Sequence, residues 1–185
     1  MQITKLIETK KTVFNIEDLA KITNSVNRDY LKVLLVRMVK RKELIRIYKG
    51  IYTYTSDYNK LELANKLKKP SYVSLQRVLF DNGIIFQDFS SKITSVSNNT
   101  YSVKVESCEY SYFKIKDDIL TNPIGLTIEN AFRIATVERA ICDTVYLFKN
   151  FYFDNIKNVD KEALSRISKI YNKRVKNEIE KYVRY

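Results

Sequence analysis

The order of hydrophobic periods along this chain predicts an α+β protein of two domains, and three observations carry that reading. Apolar residues recur at helical spacing over residues 16–23 and again from about Asn27 to Lys42, with only Asn24-Ser25-Val26 between the two runs. Two short alternating segments follow, Leu44–Tyr48 and Ile51–Tyr54, joined by a Lys49-Gly50 turn. Beyond Pro70 the pattern changes to a succession of extended segments and then amphipathic helices. Helix, turn, helix and hairpin is the order of a winged helix-turn-helix, so residues 1–56 are expected to form such a domain. Residues 57–185 are expected to form a mixed α/β domain with a small antiparallel sheet and terminal helices.

In the first domain, Ile3, Leu6 and Ile7 lie on one stripe of a short first helix. Asn15 is a good N-cap for the next helix, and Asp18 three residues on completes a capping box. Ile16, Leu19, Ala20 and Ile22 then face the core. The following helix buries Leu31, Leu34, Leu35, Met38 and Val39, spaced i, i+3, i+4, i+7 and i+8. Its other face carries Arg28, Asp29, Lys32, Val36, Arg37 and Lys40. In the hairpin, Ile45 and Ile47 should cover the core, and Arg46 and Tyr48 alternate against them.

Charge gives this domain a partner class. The net charge is +12. Residues 1–56 hold 12 basic and 5 acidic side chains, residues 57–155 hold 12 of each, and residues 156–185 hold 9 and 4. Between Arg28 and Lys49 eight basic residues face only Asp29 and Glu43. Such a segment suits double-stranded DNA better than an anionic membrane. The residues placed to reach base edges are Asn27, Arg28, Tyr30 and Lys32, with Ser25 in the turn. Arg37, Lys40 and Arg41 lie further along and suit phosphates. Arg46, Tyr48 and Lys49 form the wing, where a basic tip can follow the backbone or enter a narrow minor groove. The alternative for the same domain is a protein-interaction module that does not touch DNA.

Composition removes most enzymes. There is no histidine, and Cys108 and Cys142 form no CxxC pair, so zinc ribbons, a metal site and a cofactor site are not expected. Neither a phosphate-binding glycine loop nor a GxSxG elbow occurs, and no catalytic residue is assigned. The nearest approach to a metal-dependent nuclease is Lys104 and Glu106 with Asp117 and Asp118 downstream. Two lone thiols suit a reducing cytoplasm. The start, Met1-Gln2-Ile3-Thr4-Lys5, does not read as a signal peptide, and no apolar run is long enough to span a bilayer.

In the second domain a helix is expected over Tyr58–Lys69, ended by Pro70. A strand at Ser71–Val73 leads to Ser74 as N-cap of a helix through Asn82, with Gly83 as its stop. Strands are expected at Ile93–Ser97, Tyr101–Glu106 and Tyr110–Lys116, the first two joined by an Asn98-Asn99 hairpin turn. Residues 125–135 are extended, and Thr136 caps an apolar helix containing Ala140, Ile141 and Val145. Two further helices show Leu164, Ile167, Ile170 and Tyr171, then Val175, Ile179, Tyr182 and Val183. The candidate basic residues near the C-terminus are Lys169, Lys173, Arg174, Lys176, Lys181 and Arg184. These read as a solvated face or as a second nucleic-acid or partner surface.

Two segments stand out: Tyr72-Val73-Ser74-Leu75, followed by Leu79 and Gly83-Ile84-Ile85, and Ala135-Thr136-Val137-Glu138-Arg139-Ala140-Ile141, followed by Asp143 and Tyr146. Both resemble signatures of the AbiEi-type antitoxin family. Val78 stands where that family usually has Ala, and Val137 where it usually has Pro. The resemblance covers most of residues 1–150 and leaves the last 30 outside it. It implies a bacterial toxin–antitoxin or abortive-infection system. The winged helix would repress the protein's own operon. The C-terminal domain would counter a cognate nucleotidyltransferase-like toxin, directly or indirectly. Leu75, Val78, Leu79, Ile84, Ala140, Ile141 and Val145 are expected in the core. Glu138 suits the first turn of its helix, and Asp143 can pair with Arg139; these three polar residues are also candidates for direct functional contact.

Overall fold

The structure, a computed structural model, describes residues 3–25, 27–129 and 131–184. Val26, in the expected interhelical turn, lies outside them. The described residues hold nine helices and two sheets, an α+β chain. It divides into two compact units between Leu67 and Lys68, so the first unit runs past the 56/57 boundary expected from sequence.

In the first unit the elements are α1 (Thr4–Glu8), β1 (Val13–Asn15), α2 (Ile16–Thr23), α3 (Arg28–Lys40), β2 (Ile45–Tyr48), β3 (Ile51–Thr53) and α4 (Lys60–Leu67). Leu6, Phe14, Leu19, Leu31, Leu35, Met38, Leu44 and Tyr52 form one core. The capping box at α2 is complete: the Asp18 N–H donates to Asn15 Oδ1 at 2.8 Å, and the Asn15 N–H to Asp18 Oδ2 at 3.0 Å. α2 stops at Asn24, whose left-handed φ of 51° is one that asparagine tolerates.

α1 is a five-residue helix that buries only Leu6, leaving Ile7 53% exposed. The hairpin belongs to a three-stranded sheet, ordered β1-β3-β2, because Val13–Asn15 form a strand that sequence did not single out. β3 is therefore central and wholly buried, and β2 is an edge strand with an irregular register between Arg46 and Tyr48. At that edge Ile45 is 44% exposed instead of core-facing. α4 completes the unit with the buried carboxylate of Glu62, whose Oε2 accepts from Thr12 N, Thr12 Oγ1 and Val13 N, each at 2.8 Å. It satisfies backbone donors where β1 begins.

The second unit contains β4 (Ser71–Val73), α5 (Gln76–Asp81), β5 (Lys92–Ser97), β6 (Tyr101–Val105), β7 (Cys108–Lys114), α6 (Asp117–Thr121), β8 (Leu126–Glu129), β9 (Phe132–Ala135), α7 (Val137–Leu147), α8 (Lys161–Ser168) and α9 (Lys173–Arg184). The expected small antiparallel sheet is a six-stranded mixed sheet, ordered β6-β7-β5-β4-β9-β8. β5 runs parallel to β7, and β4 parallel to β9. Asn98-Asn99 therefore joins no paired strands; β6 pairs with β7 through the Glu106-Ser107 turn. Burial explains the order. β7 carries the buried Tyr110 and Tyr112 and must lie inside, whereas β6 carries Lys104 and can sit at an edge. Cys108 begins β7 and is buried. α7 packs on β9 and meets α5, α8 and α9.

Candidate nucleic-acid interface

α3 is positioned by its buried side. Leu31, Leu35 and Met38 are inaccessible and anchor it in the core. Its N-terminus is capped by Asn27, whose Oδ1 accepts from the Asp29 and Tyr30 N–H groups at 3.0 Å each. That bond sets a limit on the expected role of Asn27: holding an adenine with both side-chain atoms would cost α3 its cap. Ser25 donates its hydroxyl to the Asn27 carbonyl at 3.2 Å.

The outward side of α3 is cationic with an apolar centre. Arg28, Lys32, Arg37 and Lys40 are exposed, and so is Arg41 just past the helix. Asp29 is paired with Lys32 at 3.0 Å, and Arg41 with Glu43 at 2.9 Å. Among the described residues no carboxylate pairs with Arg28, Arg37, Lys40, Arg46 or Lys49. Tyr30, Val33 and Val36 share this side, 61%, 50% and 55% exposed. Sequence alone put Val36 outward with no role and did not mark Val33; the signal was present in the helical spacing.

At the hairpin, Arg46 and Lys49 are exposed and Tyr48 is half-buried. Gly50 makes the turn with φ +74°, and its Cα side faces Ile16 in the first turn of α2, where an added Cβ would sit 3.5 Å from Ile16 Cδ1. The turn between β2 and β3 and the start of α2 are thus neighbours.

The six candidate basic residues near the C-terminus divide by role. Arg174 donates to the Val145 and Tyr146 carbonyls at 2.9 and 2.8 Å and closes the end of α7. Lys181 pairs with Glu178 at 2.7 Å, and Arg184 with Glu180 at 3.5 Å. Lys173 is exposed. Lys169, Lys176 and Arg184 line a groove of about 270 Å³ between α8 and α9, together with Glu180.

The polar residues of the two family-like segments converge inside the second unit. Asp143 on α7 accepts from Tyr171 Oη at 2.7 Å, Ser74 Oγ at 2.7 Å and Tyr72 Oη at 3.1 Å. Arg139 Nε lies 3.6 Å from Asp143 Oδ1, and both side chains are fully buried. Arg139 also donates to Tyr72 Oη at 3.0 Å and to the Ile119 and Ile124 carbonyls at 2.6 Å each. Burial pushes the Asp143 carboxyl up, against the pull of the Arg139 guanidinium and three hydroxyl donors. Burial and then the Asp143 charge raise the Tyr72 and Tyr171 phenols, which stay protonated as donors. Ser74 is thus a donor to Asp143 and not the expected N-cap; the residue before α5 is Leu75, at φ 63° and ψ −143°. Arg139 and Asp143 are enclosed and cannot meet a partner, whereas Glu138 is half-buried.

Burial also pushes the Cys142 thiol up, which leaves it unsuited to nucleophilic work. The nuclease-like residues do not assemble: Lys104 is on β6, Glu106 in the turn after it, and Asp117 and Asp118 on α6. Among the described residues no three His, Cys, Asp or Glu side chains come together to hold a metal. An open cleft of about 700 Å³ lies near Lys104, but its carboxylates are engaged, Asp88 with Ser90 and Glu109 with Lys92 and Ser111. No described helix is long and apolar enough to cross a membrane.

No family model and no curated protein matches this chain.

Proposed function

We propose that residues 3–67 act as a winged helix-turn-helix that binds double-stranded DNA, with α3 in the major groove and the β2–β3 turn as a short wing. The observation that carries this reading is the outward side of α3: four exposed cations along one 13-residue helix whose only outward acid is already paired. The element order α1-β1-α2-α3-β2-β3, with β1 paired to β3, supports it, as do the exposed Arg46 and Lys49 beside the wing. Phosphate neutralisation supplies affinity, and the first turns of α3 supply sequence preference.

The resemblance to AbiEi-type antitoxins extends the proposal to a repressor of the protein's own operator and an antitoxin against a nucleotidyltransferase-like toxin, acting in the cytoplasm. The second unit would then carry the antitoxin function. The test is a titration of the full chain with duplex DNA from upstream of its own coding sequence, against a scrambled duplex, over a range of salt. With about six phosphates contacted, log affinity falls with log salt at a slope of about −5. A slope near zero and equal affinity for both duplexes would overturn the proposal.

A further inference from the structure

The proposed DNA reading leaves one feature of α3 without a task. Its exposed side is not uniformly charged. With about 100° between successive residues, Val36 and Val33 lie about 60° apart near the middle of the outward arc. Lys32 lies about 40° to one side of Val36, and Arg37 about 40° to the other side of Val33. The Asp29–Lys32 pair precedes this seam along the axis, and Lys40 follows it. Half-exposed valine packs only in part, and valine forms helices less readily than alanine. The core does not account for these two positions, because Leu31, Leu35 and Met38 fill the buried side.

We propose, resting on the DNA reading above, that Val33 and Val36 are specificity-determining residues that recognise the 5-methyl groups of thymine in the major groove. The thymine methyl is the one apolar group that base edges present there, and an apolar side chain is its natural contact. The flanking cations fix the occupant. Lys32 and Arg37 stand where the two phosphate backbones border the groove, and the valines stand over its floor. Tyr30, one turn before Val33 and also exposed, extends the apolar edge toward the N-terminus of α3. The preferred site is therefore rich in A·T pairs at its centre, read by methyl contact as well as by charge.

The test uses the full chain and a random-sequence duplex pool. The duplex enriched by selection is synthesised with thymine and then with deoxyuridine at single positions, which removes only the methyl. At a contacted thymine the dissociation constant is expected to rise about 4-fold, as burial of one methyl group implies. Val33→Ala and Val36→Ala, which favour the helix, should each abolish that ratio at the thymine they contact. Equal binding of thymine and deoxyuridine duplexes, with the salt dependence intact, would overturn the methyl reading and leave the DNA reading standing. No binding to any duplex would overturn both. If the alanine variants shift the sedimentation of the chain from dimer to monomer and leave the thymine ratio unchanged, the seam is a contact between copies and the proposal fails. Should a variant not fold, the comparison on the unaltered chain still decides.

Discussion

Tyr171, just beyond α8, donates its hydroxyl to the Asp143 carboxylate of α7 at 2.7 Å. The bond ties the terminal helices to a charge that has no access to water, and among the described residues Arg139 is the cation paired with it. Removing one member leaves the other buried and uncompensated. Asp143→Ala is expected to destabilise the second unit by about 3–5 kcal/mol, because Arg139 is then stranded. Tyr171→Phe removes one bond to a charged acceptor and should cost about 1.5–3 kcal/mol. The paired replacement Arg139→Met with Asp143→Leu should be less harmful than Asp143→Ala. Urea unfolding followed by circular dichroism measures all three; equal loss in the single and paired variants would refute the coupling.

Much of this was legible in the sequence where a single local rule decides. α2, with its Asn15–Asp18 capping box, the α3 core stripe, the Gly83 stop and the Thr136 cap all follow from neighbours within a few residues. At Gly83 the N–H groups of Gly83 and Ile84 return to Phe80 and Leu79, the bond pattern that a left-handed glycine permits. What was not legible depends on partners far along the chain. β1 is three residues long and exists because β3 and Glu62, 36 or more residues on, satisfy its backbone. β5 and β6 look like a hairpin, yet β5 pairs with β7 in parallel. Asp143 is within reach of Arg139 by helical spacing, but nothing local shows that Ser74 and Tyr171 also point at it. On α3 the spacing placed Val36 outward; its exposure beside Val33 adds the apolar seam.

Gly125 and Gly83 make a controlled pair. Both have positive φ, +73° and +66°. A Cβ at Gly125 would lie 2.9 Å from Arg139 Cβ and 2.9 Å from Ile167 Cδ1, whereas at Gly83 it meets nothing within 4 Å. Gly83→Ala should therefore carry only the left-handed penalty, about 1–2 kcal/mol. Gly125→Ala adds overpacking against α7 and α8 and should cost about 3 kcal/mol or more. Thermal unfolding of the two variants tests the difference, and equal losses would mean that the contact at Gly125 relaxes freely.

Lys66 Nζ lies 2.6 Å from Asp18 Oδ2 with both side chains largely shielded. Burial alone would raise the Asp18 carboxyl, but the Lys66 ammonium and the Asn15 N–H outweigh it and hold the carboxyl below its usual range. A carboxyl depressed in the folded state stabilises fully above its unfolded pKa, about 4, and loses that contribution as pH falls through the folded value. Lys66→Met should be less stable than the parent chain at pH 7, with the gap closing below about pH 4. A gap that stayed constant from pH 7 to pH 2 would show that the pair does not act through charge.

Arg28 and Lys49 separate reading from gripping. Arg28 lies in the first turn of α3, exposed and without an acidic partner among the described residues, so under the DNA reading it can span two acceptors on one guanine. Arg28→Ala should then weaken the preferred duplex by about 1–3 kcal/mol and scrambled DNA much less. Lys49 sits in the turn between β2 and β3, where a point charge meets phosphate without regard to sequence. Lys49→Ala should weaken both duplexes alike and make the salt slope shallower by about 1. Titrations of both variants at several salt concentrations distinguish the roles. If Arg28→Ala weakens both duplexes equally, Arg28 is a phosphate contact, and sequence preference must come from the valine seam.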